Sequence, residues 1–139
     1  MDKNDGYEIK IDIVDNSDFI LKASELQIQR ALFKAGENAV RYAVEYMSKP
    51  DFTGKDIVDT GRLRASISFA TSEFMSNPNE DGINFKADKY TTIVGTNVEY
   101  ANYVELGTSK QLARHFLLNG INDSLNETRN DIEEIMKKW

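Results

Sequence analysis

Apolar and charged side chains alternate at the start of the chain, with Tyr7, Ile9, Ile11 and Ile13 set against Glu8, Lys10 and Asp12. A period of two places the four apolar side chains on one face, which predicts a half-buried strand. Asp15-Asn16-Ser17-Asp18 ends it with turn formers. The period then changes. Ile28, Leu32, Ala35, Ala39, Tyr42 and Tyr46 fall on one helical stripe, and Arg30, Lys34, Glu37, Arg41 and Glu45 on the opposite one. Ser24 and Gln27 make a capping box at the front, and Pro50 stops the pattern behind. A helix from Ser24 to Met47 would be about 36 Å long and must cross the whole molecule. Glu37–Arg41 and Arg41–Glu45 are its expected i,i+4 ion pairs.

Residues 48–59 read as a loop and 59–66 as a short helix that Thr60 can cap. Ile67 to Thr71 alternates as a strand. Ile83, Phe85 and Ala87 alternate again, and Thr91 to Val94 is β-branched. With the turn cluster Asn77-Pro78-Asn79-Glu80-Asp81-Gly82 between them, these segments predict a long hairpin over residues 66–95. Its acidic tip, residues 76–88, is expected to be mobile in the isolated chain. Gly95-Thr96-Asn97 should break the second arm, Asn97 should cap a short helix, and Gly107 should end it. The last helix starts near His115. Leu118, Ile121, Leu125, Ile132, Ile135 and Trp139 mark its apolar stripe, with Asn122, Asn126, Asn130 and Glu133 on the wet side. Gly120 inside it costs up to about 1 kcal/mol against Ala, and nothing in the sequence accounts for it. The predicted architecture is α+β: a small antiparallel sheet with a long hairpin, covered by a long N-terminal helix and a C-terminal helix.

Composition narrows the function classes. The 139 residues suit one domain, with residues 1–6 expected to be flexible. Met1 to Gly6 is charged and lacks the apolar stretch of a secretory signal. No run of apolar residues approaches the length of a membrane span. Cysteine is absent, which excludes disulfides, thiol catalysis and Cys-type metal sites. The formal net charge of −6 argues against wrapping nucleic acid.

Catalysis has little to use. His115 is the single histidine, and it lies at a helix start between Arg114 and Phe116. Thr53-Gly54-Lys55 lacks the upstream glycine and strand of a phosphate loop. The oxygen-rich turn at 77–82 does not have EF-hand spacing. Lys55, Arg62 and Arg64 form the main basic concentration, but positions i and i+2 do not share a helix face, so they make no clean phosphate clamp. No catalytic, cofactor or metal residue is therefore assigned.

Two segments carry more than periodicity. One contains Thr60, Gly61, Leu63, Arg64, Ser66 and Ile67. The other contains Val94, Gly95 and Thr96, then Tyr100, Ala101, Tyr103, Val104, Glu105, Gly107 and Thr108. Each couples a turn glycine and a capping residue to a short helix at a strand end, which by itself describes corner packing. Together they resemble the tail-completion or neck proteins of long-tailed bacteriophages, also known as minor head–tail proteins. The family pattern is Thr-Gly-x-Leu-Arg-x-Ser-Ile, followed by Val-Gly-Thr and Tyr-Ala-x-Tyr-Val-Glu-Phe-Gly-Thr. The resemblance runs over about residues 7–135, with a long helix before the first motif and Phe116-Leu117 after the second. Leu106 replaces the usual aromatic, and His115 stands where members often have Pro.

The resemblance implies structural work and no reaction. Members assemble as a ring in the neck, so the implied partners are copies of the chain itself, connector or head-completion proteins, and tail-tube or tail-terminator proteins. DNA would pass nearby without specific binding, and neither membrane nor cofactor is involved. The implied location is the virion, reached by assembly in the host cytoplasm. The motif residues would then serve assembly or packing. The alternatives are a prophage-encoded binding module acting on a host protein and, more distantly, a hydrolase using His115.

Overall fold

The computed structural model describes residues 7–12, 25–48, 60–98, 101, 105 and 115–137. The elements run β1 (Tyr7–Asp12), α1 (Glu25–Met47), α2 (Thr60–Ser66), β2 (Ser68–Ala70), β3 (Thr91–Thr96) and α3 (Phe116–Lys137). The strands form one antiparallel sheet in the order β1-β3-β2, with Ile9 opposite Val94 and Phe69 opposite the same residue from the other side. The α+β reading stands, and the small antiparallel sheet has three strands. Ile13, Ser24, Pro50 and Trp139 lie outside the described residues.

The hairpin stands as the antiparallel pair β2–β3, but its second arm is shorter than the alternation suggests. Residues 83–87 form no strand, and Gly95 continues β3 instead of breaking it. Competing local bonds explain the first difference, and pairing on both sides, with Glu8 and with Ser68, carries Gly95 within β3. After β2 the chain turns on Thr71, whose hydroxyl accepts the N–H groups of Glu73 and Phe74 at 3.2 and 3.1 Å. It then doubles back so that Ser76 N–H donates to Phe69 O at 2.9 Å and the Ser76 hydroxyl accepts Phe69 N–H at 2.9 Å. That return covers the outer edge of β2 along Phe69 and leaves less template for stray pairing. Residues 77–90 then cross the back of the sheet. Ile83 N–H donates to the Ser68 hydroxyl and Ala87 N–H to Thr71 O.

The alternation of β2 and β3 divides the core in two. Phe69 and Val94 face the helices, with Ala39, Ala43, Leu63, Phe116 and Leu117. Ala70 and Ile93 face the other way, under Ile83 and Ala87, with Met75 and Phe85 at the margin. The 71–90 excursion therefore does for one face of the sheet what the helices do for the other. On the helix side, contact is close. A Cβ on Gly36 would lie 2.3 Å from the Phe69 ring, and the Thr92 hydroxyl donates to Leu32 O at 2.7 Å.

Helices α1 and α3 are antiparallel neighbours. Gln27 near the front of α1 donates to Ile135 O at the end of α3, while Asn119 near the front of α3 donates to the Tyr46 hydroxyl. The buried face of α3 is Phe116, Leu117, Gly120, Ile121, Ser124, Thr128 and Met136, which is rotated from the stripe expected from its leucines. Leu118 and Leu125 are exposed. Small residues win the seam because they let the helix axes come together. Gly120 has its explanation here: a Cβ would sit 2.6 Å from the Cα and 2.7 Å from the backbone N of Ala43.

A polar ladder runs beside this seam. Asn38, almost fully buried, donates to the Thr128 hydroxyl at 3.2 Å and to the Asp131 carboxylate at 2.8 Å. The Glu127 carboxylate accepts from Arg41 and from the Tyr42 hydroxyl, the latter at 2.6 Å. Of the two expected ion pairs on α1, Arg41–Glu45 forms at 3.7 Å. Glu37 pairs instead with Lys34 at 3.2 Å, since Arg41 is drawn across to Glu127.

Candidate functional site

The first motif is the α2–β2 corner. Leu63 is fully buried in the helix-side core and Ile67 nearly so. The Ser66 hydroxyl donates to Leu63 O at 2.6 Å, which satisfies a carbonyl at the helix end. Gly61 is exposed, and Arg64 reaches the Ser48 hydroxyl at 3.3 Å. Thr60 is the first residue of α2.

The second motif begins in β3. Gly95 lies mid-sheet between Glu8 and Ser68. The Thr96 hydroxyl accepts Val98 N–H at 3.1 Å, so Thr96, not Asn97, covers the amide that follows the strand. Asn97 instead donates through its backbone to Asp81 O at 2.8 Å and through its side chain to Glu80 O at 3.0 Å. Tyr100, Tyr103, Gly107 and Thr108 lie outside the described residues. The two motifs meet where the hydroxyls of Ser66 and Thr96 share a hydrogen bond at 2.5 Å in a buried setting. Nothing in the spacing of the sequence brings these two hydroxyls together, because 30 residues separate them.

Glu105 has the most distinctive environment. Its side chain is fully buried, and it accepts Leu117 N–H at 2.8 Å and Leu118 N–H at 3.2 Å. These are free amides of the first turn of α3, so Glu105 is a capping carboxylate supplied from a distant part of the chain. Its backbone carbonyl accepts His115 N–H at 3.0 Å, and Asn119 N–H closes the first helical turn onto His115 O. Burial pushes the Glu105 carboxyl above the usual carboxylate range, while the two amides and nearby His115 pull it back.

His115 is the hinge of this turn. Its φ is 45°, the left-handed region. Proline could adopt neither that angle nor donate the N–H, so this turn is built differently from one carrying Pro. The imidazole Nδ1 lies 4.0 Å from Glu105 Oε2.

The basic concentration is dispersed. Arg62 makes a two-point contact with Asp81, Nε to Oδ2 at 3.0 Å and Nη2 to Oδ1 at 2.8 Å. Arg62, Ser66, Asn77, Asn79, Glu80 and Asp81 line a shallow cleft between α2 and the 77–82 turn. Lys55 lies outside the described residues. No group of acidic or histidine side chains with metal-binding geometry occurs among the described residues.

Asp81 ties the excursion to α2. Arg62 holds its carboxyl below the usual range. A depressed folded-state pKa contributes stability that is present above the ordinary Asp range and lost as pH falls through the folded value. Hydrogen exchange of the amides at 77–82 should therefore become less protected on acidification, after correction for intrinsic rates. Asp81→Asn should remove that pH dependence.

The family model "Bacteriophage HK97-gp10, putative tail-component" matches residues 8–107. That span contains both motifs through Gly107. No curated protein and no solved structure matches the chain.

Proposed function

The chain belongs to the HK97-gp10-like family of bacteriophage tail components, and from that membership we propose that it is a non-catalytic subunit of the phage neck, one copy in a closed ring between head connector and tail. The match over residues 8–107 carries the reading. The site geometry supports it. The described motif side chains hold corners of the fold: Leu63 fills the core, Ser66 bonds Thr96, and Glu105 caps α3. Side chains engaged in this way give a subunit a fixed shape, and a ring that closes by rotation needs subunits of fixed shape. The partners are other copies, connector or head-completion proteins, and tail-tube or tail-terminator proteins. An acidic subunit lets DNA pass without holding it, since phosphate is repelled.

Particles produced without this protein should accumulate as filled heads beside unjoined tails, and supplying the wild-type chain should restore joining. His115→Ala should restore it equally well. Normal joined particles without the protein, or mature virions that lack it, would overturn the proposal. A His115→Ala protein that folds but fails to restore joining would reopen the catalytic reading.

A further inference from the structure

We propose that the β1 edge of the sheet is a self-docking surface, on which a second copy of this chain lays its own β1 antiparallel about a two-fold axis at Ile9, joining the two sheets into one. The edges of the sheet differ. At β2 the chain itself returns, and Ser76 takes both the N–H and the C=O of Phe69. At β1, no described residue pairs with the outer edge. A head-to-tail extension of the sheet would need both edges open, so the strand of this chain that fits the β1 edge is another β1. The backbone fixes which groups that edge offers. Because Phe69 spends its N–H and C=O on Ser76, it faces Val94 as a non-hydrogen-bonded pair, and Val94 turns its own groups to Ile9. Alternation along an antiparallel ladder then leaves the backbone groups of Glu8 and Lys10 at the outer edge.

Charge selects the partner and the register. Pairing about Ile9 sets Glu8 opposite the partner subunit's Lys10, and Lys10 opposite the partner subunit's Glu8. Each of these pairs brings opposite charges together and exchanges both of its backbone hydrogen bonds. A centre at Lys10 would instead set Lys10 on the partner subunit's Lys10 and Glu8 on the partner subunit's Asp12, and like charges directly opposite destabilise. A centre at Ile11 matches Lys10 with the partner subunit's Asp12 but pairs only residues 10–12 of the strand, where the centre at Ile9 pairs residues 7–11. The apolar positions agree with the charges. Phe69, Val94 and Ile9 stand in one row across the sheet, and that row continues into the partner subunit's Ile9. The complementarity occurs twice by symmetry, as an isologous contact requires. Such a contact is distinct from the head-to-tail contact that closes a ring, so the dimer is a state of the free chain and does not rest on the neck reading.

The wild-type chain should sediment as a dimer at high concentration. Lys10→Glu should sediment as a monomer with unchanged circular dichroism, because it sets acid against Glu8 at both ends of the contact. Glu8→Lys combined with Lys10→Glu should restore the dimer. The absence of native cysteine lets the register be read directly. Under mild oxidation Glu8→Cys mixed with Lys10→Cys should cross-link, since opposite residues of a hydrogen-bonded pair have Cα atoms about 5.5 Å apart, within disulfide reach. Lys10→Cys alone should not, because its two copies would be offset by about 7 Å along the strands as well as one strand spacing across. Self-cross-linking of Lys10→Cys to the same extent as the mixture would overturn the register. A wild-type monomer, dimers that survive Lys10→Glu, or a doubly exchanged variant that stays monomeric would overturn the surface itself. These measurements use the isolated chain, so they stand apart from the outcome of the particle assay.

Discussion

Gly120→Val is expected to destabilise the protein by about 3 kcal/mol or more, a loss at the upper end of what overpacking produces. The closest atoms that a side chain would meet are the Ala43 Cα and N, at 2.6 and 2.7 Å, with the Ala43 Cβ at 2.9 Å. A rotamer change on the other helix cannot make room, so α1 and α3 must move apart along their whole seam. Separation would also stretch the bonds from Asn38 to Thr128 and Asp131. Those groups would be left buried without partners, at about 1–3 kcal/mol each. Gly120→Ala should be milder, because Ala gains up to about 1 kcal/mol of helix propensity that offsets part of the clash. Ala43→Gly should rescue Gly120→Ala only in small part, since it removes the 2.9 Å contact and leaves the two closer backbone ones. Urea unfolding of the three variants checks this. Full rescue by Ala43→Gly would mean that the Ala43 side chain makes the whole contact and that the helices can yield.

The same glycine shows where sequence reading stops. Periodicity finds α1 and α3 because burying one face of a helix leaves a 3.6-residue pattern in the chain itself. It misplaces the buried face of α3, because leucine is the stronger hydrophobic signal while the close helix contact selects Gly120, Ser124 and Thr128 for being small. Polar residues mislead in the same direction. Gln27, which reads as half of a capping box, and Asn38, to which periodicity assigns no role, are both buried because α3 supplies their partners. A partner from another element leaves no mark at the residue's own position.

β-structure divides similarly. β1 and β3 are legible by alternation and β-branching. Residues 83–87 alternate as well, and there the pattern records burial under the sheet without strand pairing, with Ile83 and Ala87 pressed on Ile93. Alternation reports which side chains are covered and says nothing of what accepts the backbone hydrogen bonds. The motifs fare best as a unit. Their spacing names the family, but the reasons for individual residues are long-range. Ser66 is paired with Thr96 across 30 residues, and Glu105 with the amides of α3 across 12 and 13.

Glu105→Ala is expected to cost about 3 kcal/mol, since it strips the acceptor from two first-turn amides of α3. It also leaves a cavity beside Leu117 in the core. Glu105→Gln should cost less, about 1–2 kcal/mol, because one carbonyl oxygen survives while the amide nitrogen faces a second donor. The pH dependence separates capping from simple packing. Burial raises the folded-state pKa of this carboxyl above its unfolded value. A raised acid pKa contributes stability that is fully present below the ordinary Glu range and lost as pH rises through the folded value. The wild type should therefore gain on Glu105→Gln as the solution is acidified from neutrality. Asp81 acts in the opposite sense in both proteins and cancels in the difference. Denaturant midpoints of the two proteins measured across the acid range would show that convergence or divergence directly. A constant gap would mean that the carboxylate is not buried as placed, and that α3 starts without it.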